Sequence, residues 1–346
     1  MIKANVLVTG GSGYFGSILI EKLLKKNFNV ISIDINLPID NHNFKFKKID
    51  ITKKNDLFNF FKIHKIDYLF HNVAQVPLAK NKKLFREVNI YGTKNICEAA
   101  INTGIKHIIY TSSSAVYGVP KYNPVNENSV TIPGEEYGKA KLQGEYICKN
   151  FSNQDLKVTI IRPRTILGHG RLGIFSILFD WIENNKRIPL FNNGENLYQF
   201  IHADDLADAC ILAINQKTNF EIFNVGAEDL FSMREILEKI VKQTNSKSTF
   251  YSLPLIPSEI FLNFLSFFGV IPLSKYHTLM YGRSLYFDIS KAKEKLKFRP
   301  KYKTLEMFIE SYNFYIQNKN NNKLNNLSHH QKKTPQLLLK LFKFFS

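Results

Sequence analysis

Two tyrosines are followed four residues later by a lysine, and backbone chemistry separates the two pairs. Gly118 and Pro120 follow Tyr117 and break the helix that would be needed to bring both side chains to one face. Tyr137 and Lys141 instead lie in a helical pattern, stacked near its start. A tyrosine can act as a base near neutral pH if its pKa of about 10 falls by roughly 3 units. A neighbouring ammonium and a positively charged cofactor ring would favour that phenolate.

Hydroxyl side chains follow a predicted strand, His107–Ser112, in the run Thr111-Ser112-Ser113-Ser114. Ligands of open α/β folds bind at the carboxyl edge of the sheet, where this strand ends. A hydroxyl from the run can therefore hydrogen-bond the oxygen of a reacting alcohol alongside the tyrosine.

A glycine-rich turn follows the first predicted strand, with Gly10, Gly13 and Gly16 spaced as GxxGxxG. Such a turn lets backbone amides approach a pyrophosphate at the start of a helix, where Tyr14 and Phe15 lie. The next strand ends in Asp34, placed to accept hydrogen bonds from ribose hydroxyls and to repel a 2′-phosphate. The motif predicts NAD rather than NADP as the cofactor.

Two further segments are predicted to line the cofactor. Asp50 and Ile51 end the third strand and would meet the adenine edge, although a solvated aspartate at a strand end is the alternative. Ala74 follows the fourth strand and would lie beside the pyrophosphate and the second ribose. Asn89 is interpreted either as part of the site or as a buried polar group of a helix.

The elements that must position these residues alternate between strand-like and helix-like runs, which predicts an α/β fold with a doubly wound parallel (Rossmann) sheet. The predicted strands are Asn5–Val8, Val30–Asp34, Phe44–Asp50, Tyr68–Val73, His107–Ser112 and Val158–Arg162. The predicted helices are Tyr14–Lys25, Lys54–His64, Lys83–Asn102, Tyr137–Asn150, Phe175–Asn184, Ala203–Asn215, Met233–Thr244 and Leu305–Ile316.

The length of 346 residues suggests about two domains. We predict a cofactor domain over 1–163, to which a strand and helix near 198–225 return, and a smaller α/β substrate domain over 164–317. Residues 318–346 read as a flexible basic tail with an apolar end. Three cysteines without metal-ligand spacing predict neither a disulfide scaffold nor a metal site.

The net charge is 47 − 29 = +18, but only eight of the basic residues are arginine and no dense basic block occurs. Nucleic-acid binding is therefore not predicted. A lysine-rich coding bias or attraction of an anionic substrate explains the charge. With no secretory signal and no stretch that could span a membrane, a cytoplasmic protein is expected. The tail end, Leu337–Phe345, is interpreted either as a segment that docks on the body of the protein or on a partner, which is favoured, or as a basic amphipathic helix that rests on the inner face of a membrane.

Over residues 3–316 the chain resembles the extended short-chain dehydrogenase/reductases of the nucleotide-sugar epimerase/dehydratase family. The motifs that carry the likeness are Thr9–Gly16, Asp34, Ser112–Gly118, Tyr137–Lys141, Arg162-Pro163, Phe200–Ala207 and Asp288–Ala292. The resemblance implies Ser113, Tyr137 and Lys141 as the catalytic residues, Ser112 as a substrate contact, and a homodimer built through Lys83–Asn102 and Tyr137–Asn150. It also implies an activated-sugar substrate and a place in surface-polysaccharide synthesis.

Two positions depart from the family pattern. Ser114 and Ala115 stand where the dehydratase branch carries an Asp-Glu pair, so loss of water from the sugar is not expected. Tyr198 stands where many relatives have an arginine that contacts the nucleotide phosphates. Arg164 or Arg283 could hold that end of the substrate instead, against the alternative that both serve structural ion pairs.

The leading hypothesis is an NAD-dependent epimerase, acting at C4 of a diphosphate-activated sugar through a transient keto-sugar. The carrier is a nucleotide or, given the apolar tail and the stretch Ile260–Phe268, a polyprenyl diphosphate. A net NAD(P)-dependent sugar oxidoreductase is the alternative. A cofactor-sensing protein without catalysis is the third and is disfavoured, because such a protein has little reason to carry the full set of Ser113, Tyr137 and Lys141.

Overall fold

The computed structural model describes residues 4–39, 43–75, 82–153, 155–267 and 279–319. Its strands are β1 (Asn5–Thr9), β2 (Asn29–Asp34), β3 (Lys45–Lys48), β4 (Tyr68–His71), β5 (His107–Thr111), β6 (Lys157–Pro163), β7 (Thr165–Leu167), β8 (Ile188–Phe191), β9 (Leu197–Tyr198), β10 (Phe200–His202), β11 (Phe220–Val225), β12 (Phe231–Ser232) and β13 (Phe250–Leu253). Its helices are α1 (Tyr14–Lys25), α2 (Lys54–Ile63), α3 (Lys82–Arg86), α4 (Thr93–Asn102), α5 (Glu136–Phe151), α6 (Phe175–Glu183), α7 (Ala203–Ala213), α8 (Met233–Gln243), α9 (Leu255–Phe267) and α10 (Thr304–Asn318).

The main sheet contains seven parallel strands in the order β11-β6-β5-β4-β1-β2-β3 within the described residues. The chain moves outward from β1 to β3, then crosses back to place β4 on the other side of β1. This reversal creates a crevice at the carboxyl ends of β1 and β4, where ligands bind in such sheets. The predicted fold class, a doubly wound parallel sheet, is confirmed.

Strand alternation divides the core between the two faces of the sheet, because successive side chains of a strand point to opposite sides. Leu7 and Ile108 pack with α2, α4 and α5 on one face. Val8 and Ile109 pack with α1 and α7 on the other. Both faces are therefore covered by helices, which explains why these strands read as continuous apolar runs.

Residues after 163 build a further apolar cluster, with Trp181, Leu190, Phe200 and Phe308 among its members. They also complete the main sheet, because β11 pairs with β6 along its length. The structure thus shows both a separate cluster and a return to the sheet, and the division at residue 163 stays a prediction.

Several element boundaries differ from those predicted. The helix expected over Lys83–Asn102 divides into α3, a π-helical segment (Glu87–Gly92) and α4. The strand expected over Phe44–Asp50 shortens to β3, an edge strand that pairs only with β2 among the described strands. The apolar stretch that begins at Ile256 forms most of α9.

Among the described residues, no helix combines the length and apolar character needed to cross a membrane. The tail predicted for 318–346 lies outside the described residues beyond Lys319, as does part of the apolar stretch after residue 267.

Candidate active site

The glycine turn joins β1 to α1 and closes tightly on itself. A Cβ on Gly16 would lie 2.1 Å from the Gly10 carbonyl oxygen, so no other residue fits there. Gly13 precedes α1, and no side chain caps the first turn of that helix. The amides at this helix start are consequently available to an anionic group. These features fit the pyrophosphate of a dinucleotide.

Asp34 ends β2 beside this turn. Its Oδ2 accepts a hydrogen bond from the Ser12 amide at 3.1 Å, and its Oδ1 accepts one from the Asn36 amide at 3.0 Å. Burial raises the pKa of the Asp34 carboxyl, and the amide hydrogen bonds partly oppose this. The carboxylate is thus held against the glycine turn, in the place from which it would accept ribose hydroxyls.

The other predicted cofactor contacts have identified partners within the protein. The Tyr14 hydroxyl donates to the Gly168 carbonyl, and Phe15 packs beside Tyr14 in a small apolar cluster. Asp50 accepts hydrogen bonds from the Thr52 amide and hydroxyl, and Ile51 is buried in the core. Their contacts with the cofactor stay predictions.

Ala74 lies in the segment after β4 that ends the described range 43–75. The next residue, Gln75, is held by Asn89. The Asn89 side chain accepts a hydrogen bond from the Gln75 amide and donates one to the Gln75 carbonyl. This favours the interpretation of Asn89 as a satisfied buried group that holds the segment in place. The cofactor contact of Ala74 stays a prediction.

Tyr137 and Lys141 lie one turn apart at the start of α5. The helix begins there because the Glu135 carboxylate accepts the amides of Tyr137 and Gly138, each at 2.7 Å. A Cβ on Gly138 would lie 2.4 Å from the Ala115 carbonyl oxygen. Glycine therefore lets α5 approach the serine-rich turn that follows β5 closely.

Ser113 opens that turn, and its hydroxyl oxygen accepts a hydrogen bond from the Ala115 amide at 3.2 Å. The Ser113 side chain lies near enough to the Tyr137 phenol to lower its pKa. The structure thus brings two of the three predicted catalytic residues close together, although they are 24 positions apart in the sequence.

Lys141 is buried, and its ammonium donates to the Thr111 carbonyl at 2.7 Å and lies 4.8 Å from the centre of the Tyr110 ring. Burial lowers the pKa of Lys141 to about 8. The ammonium therefore lies at the carboxyl end of β5, close to the serine-rich turn.

The expected activation of Tyr137 by Lys141 requires correction. Burial raises the pKa of Tyr137 to about 12, Ser113 lowers it through a hydrogen bond, Glu135 raises it, and Arg171 lowers it. Lys141 is not among these causes. Two residues that shape the site were thus missed: Glu135, which its place just before the helix could have indicated, and Arg171, which comes from a distant loop and gave no local signal.

Ser112 belongs to a buried polar network behind the site. Its hydroxyl donates to Glu145 Oε1 at 2.5 Å, and Glu145 forms two hydrogen bonds with Arg162, at 2.6 and 2.9 Å. Arg162 also donates to the Tyr117 hydroxyl, which donates to Asn224. Tyr117 is therefore part of the scaffold, as its broken helix pattern indicated, and the substrate contact of Ser112 stays a prediction.

The two arginines considered for the substrate have different surroundings. Arg283 pairs with Glu259 at 2.6 Å and donates to the Leu279 carbonyl, which corresponds to the structural alternative. Arg164 is buried and stacks on the Tyr198 ring, with 4.6 Å between Cζ and the ring centre. The Tyr198 hydroxyl forms a hydrogen bond of 3.0 Å with the Thr165 hydroxyl.

One group of side chains has metal-ligand character among the described residues. Ligand atoms of His169, His202 and Asp204 lie within 4.8 Å of one another. These atoms are engaged with each other and with neighbours: His202 bonds to Glu310 at 2.8 Å, and Asp204 accepts from Tyr302 at 3.1 Å. The group has no contact with Ser113, Tyr137 or Lys141 that would make it part of the active site.

The sequence model of the NAD dependent epimerase/dehydratase family matches residues 6–226, which include the glycine turn, Ser113 and Tyr137. The chain belongs to this family. The predicted family, the NAD cofactor and an enzyme of the epimerase class are thereby confirmed.

The chain is 46% identical over 345 residues to the uncharacterized protein y4nG of Sinorhizobium fredii, covering 99% of this chain and 86% of that protein. It is 28% identical over 249 residues to a UDP-glucose 4-epimerase of Mycolicibacterium smegmatis, covering 66% of this chain and 79% of that protein. The structure of a UDP-glucuronic acid 4-epimerase from Bacillus cereus in complex with NAD is similar, with a TM-score of 0.73 and 25% identity over 90% of this chain and 99% of that one.

Proposed function

We propose that this protein interconverts two epimers at C4 of a nucleotide-linked sugar. The observation that carries the proposal is the meeting of Ser113 with Tyr137 at the carboxyl edge of the sheet, beside a glycine turn that fits a dinucleotide. Relatives over most of the chain are named as 4-epimerases of UDP-sugars. Ser114 and Ala115, which are not acids, follow Ser113, so no acid pair is present there to remove water from the sugar.

Each catalytic side chain has a defined task in this reaction. Tyr137 accepts the proton of the C4 hydroxyl and returns it to the same oxygen after the keto-sugar has turned to present the opposite face of C4. Ser113 donates a hydrogen bond to that oxygen and holds it near the phenol. When bound, NAD supplies the acceptor that takes hydride from C4 and gives it back. Asp34 and the amides of the glycine turn would hold it, with Lys141 near its second ribose.

The ionisation of Tyr137 must change before it can act as a base. In the ligand-free protein its pKa of about 12 keeps the phenol protonated at neutral pH. A positive charge placed beside the phenol by a bound cofactor lowers that pKa, because it stabilises the phenolate. Arg171 acts in the same direction. We therefore expect the bound cofactor to promote formation of the phenolate.

The decisive experiment incubates the NAD-loaded protein with UDP-glucose, UDP-glucuronic acid and their N-acetylated counterparts in deuterated water, without added cofactor. We expect the C4 epimer of one substrate, with no deuterium at C4 and no net change in absorbance of reduced cofactor. A stoichiometric change in that absorbance would identify a net oxidoreductase instead. A parallel incubation contains the same sugars on a polyprenyl diphosphate, and turnover of these without turnover of any UDP-sugar would assign the other carrier.

A matched pair of variants assigns the chemistry to Tyr137. Replacement Tyr137→Phe is expected to lower kcat by about 10²- to 10⁴-fold, the range for general acid–base catalysis. Tyr122→Phe, at a position outside this helix that is 74% exposed, should change it less than twofold. Equal rates for Y137F and wild type would exclude the proposed mechanism.

Two statements about the assembly are part of the proposal. A homodimer through the helices around α4 and α5 is favoured by exposed apolar side chains there, namely Tyr91, Ile101 and Tyr146. Light scattering of the full chain tests the mass, and a monomer would exclude the dimer.

We also propose a cytoplasmic enzyme that supplies an activated sugar for surface polysaccharide and contacts the membrane through residues 320–346. Fractionation of the full chain and of residues 1–319 tests this contact.

A further inference from the structure

Arg164 follows β6 and is enclosed on three sides. It is 1% exposed, and its Nη1 donates to the Ser114 hydroxyl at 2.8 Å. The Tyr198 ring covers one side of the guanidinium and the Phe287 ring lies 5.7 Å from its Cζ. Two aromatic rings and one serine thus hold the charged group in a fixed orientation.

The remaining edge of this guanidinium has no partner. Nε and Nη2 of Arg164 are buried, and neither has a hydrogen-bond partner among the described residues. A buried charged group normally has all its donors satisfied, because water is lost without compensation otherwise. The neighbouring Arg162 follows that rule, since Glu145 and Tyr117 satisfy it. Unlike Arg162, Arg164 therefore has two buried donors, Nε and Nη2, that lack an acceptor.

The two open nitrogens define the shape of that acceptor. Nε and Nη2 present parallel N–H bonds on one edge of the guanidinium, which match two oxygens of a carboxylate or a phosphate. Among the ion pairs formed by the described residues, no carboxylate is paired with Arg164. A ligand that carries two such oxygens would satisfy both nitrogens.

The position of Arg164 identifies which ligand. Its partner Ser114 is the next residue after Ser113, the serine that contacts Tyr137. Resting on the proposed function, we infer that Arg164 is a binding residue for an oxyanion of the sugar nucleotide. That oxyanion is either a carboxylate on the sugar or a phosphate of the diphosphate. Both nitrogens are buried, so this binding requires the side chains that cover them to move apart.

The test measures binding by titration calorimetry on the NAD-loaded full chain, with UDP, UDP-glucose and UDP-glucuronic acid as probes. The variant is Arg164→Lys, which keeps a positive charge but loses the two parallel N–H donors of Nε and Nη2. The control is Arg187→Lys, because Arg187 also stacks on a tyrosine ring, at 4.9 Å from Tyr251, but is exposed. Circular dichroism melts of each variant show that the fold is retained, and Arg164→Gln is used if the lysine variant does not fold.

A phosphate site predicts that R164K weakens all three probes by at least tenfold. A carboxylate site predicts that only UDP-glucuronic acid is weakened by at least tenfold. Affinities within twofold of wild type for every probe, in a folded variant, would overturn the inference and leave Arg164 a structural residue. Because the titration reports affinity whether or not the sugar is epimerised, an Arg164-dependent affinity in a protein that epimerises none of the sugars would refute the proposed function but not the oxyanion site.

Discussion

The Glu135 carboxylate accepts a hydrogen bond from the Tyr137 amide at 2.7 Å and lies close enough to its side chain to raise the pKa of that phenol. Glu135 thereby both caps the start of α5 and opposes ionisation of Tyr137, the proposed base. Its capping role and its electrostatic role can be separated, because an amide keeps the shape of the side chain and removes the charge.

Replacement Glu135→Gln is expected to shift the pH profile of the enzyme. Loss of the negative charge lowers the pKa of Tyr137, so the acid limb of kcat/KM against pH moves to lower pH. The loss of one good acceptor at the helix start should cost about 1 kcal/mol of stability. Glu136→Gln is the control, since Glu136 is exposed and pairs with Lys139. An acid limb that stays in place or moves upward would contradict the assigned role of Glu135.

The buried Lys141 is expected to make stability depend on pH. Its folded pKa of about 8 lies below the unfolded value of about 10.5, so folding is penalised by roughly 3 kcal/mol below pH 8. That penalty fades as the pH rises from 8 through 10.5. The free energy of unfolding of wild type relative to Lys141→Met should therefore increase by about 2 kcal/mol between pH 7 and pH 10.

Urea unfolding of the NAD-free protein at each pH measures this difference. Lys139→Met removes an exposed lysine from the same helix and serves as the control. A pH-independent difference for K141M would show that the ammonium is not buried in the way the structure indicates.

Asp34 is expected to set the choice between NAD and NADP. Replacement Asp34→Asn keeps the acceptor oxygen near Ser12 but removes the charge that repels a 2′-phosphate. The ratio of the Kd for NADP to the Kd for NAD should fall by about tenfold, which corresponds to about 1.4 kcal/mol. Fluorescence titration measures both constants, with Asp56→Asn on the exposed side of α2 as the control. An unchanged ratio would remove Asp34 from cofactor selection.

The buried pair of Arg162 and Glu145 is expected to be costly to break. Arg162→Met leaves Glu145 buried with Ser112 as its remaining hydrogen-bond partner, and we expect a loss of about 3–5 kcal/mol in the free energy of unfolding. The double replacement of Arg162 and Glu145 by Met should recover part of it, because neither charge is then left alone.

Urea denaturation of the single and double variants gives these values. Breaking the exposed pair of Lys139 and Glu136 should cost less than about 1 kcal/mol. A double variant that is less stable than either single one would show that the pair itself, rather than the unpaired charge, carries the stability.

Local patterns were sufficient for many of the elements. The helix predicted over Tyr14–Lys25 has those bounds in the structure, because the glycine turn that starts it and the apolar face that buries it are encoded within that segment. The glycine spacing, Asp34 at a strand end and the Tyr137–Lys141 spacing likewise depend on neighbours in the chain. These residues alone were enough to indicate the family and the cofactor.

The hydrogen-bond partners and pKa shifts of the site residues depend on the tertiary structure and could not be predicted from local patterns. Ser112 donates a hydrogen bond to Glu145, and Arg164 donates one to Ser114. Arg171 lowers the pKa of Tyr137 electrostatically. Each of these interactions joins distant segments of the chain. Spacing within a segment carries no record of such contacts, and a pKa depends on burial and on charges from every neighbouring element. Residue types and local spacing limit which groups are available for catalysis, whereas packing between distant segments establishes which of them face the site and in what state of ionisation.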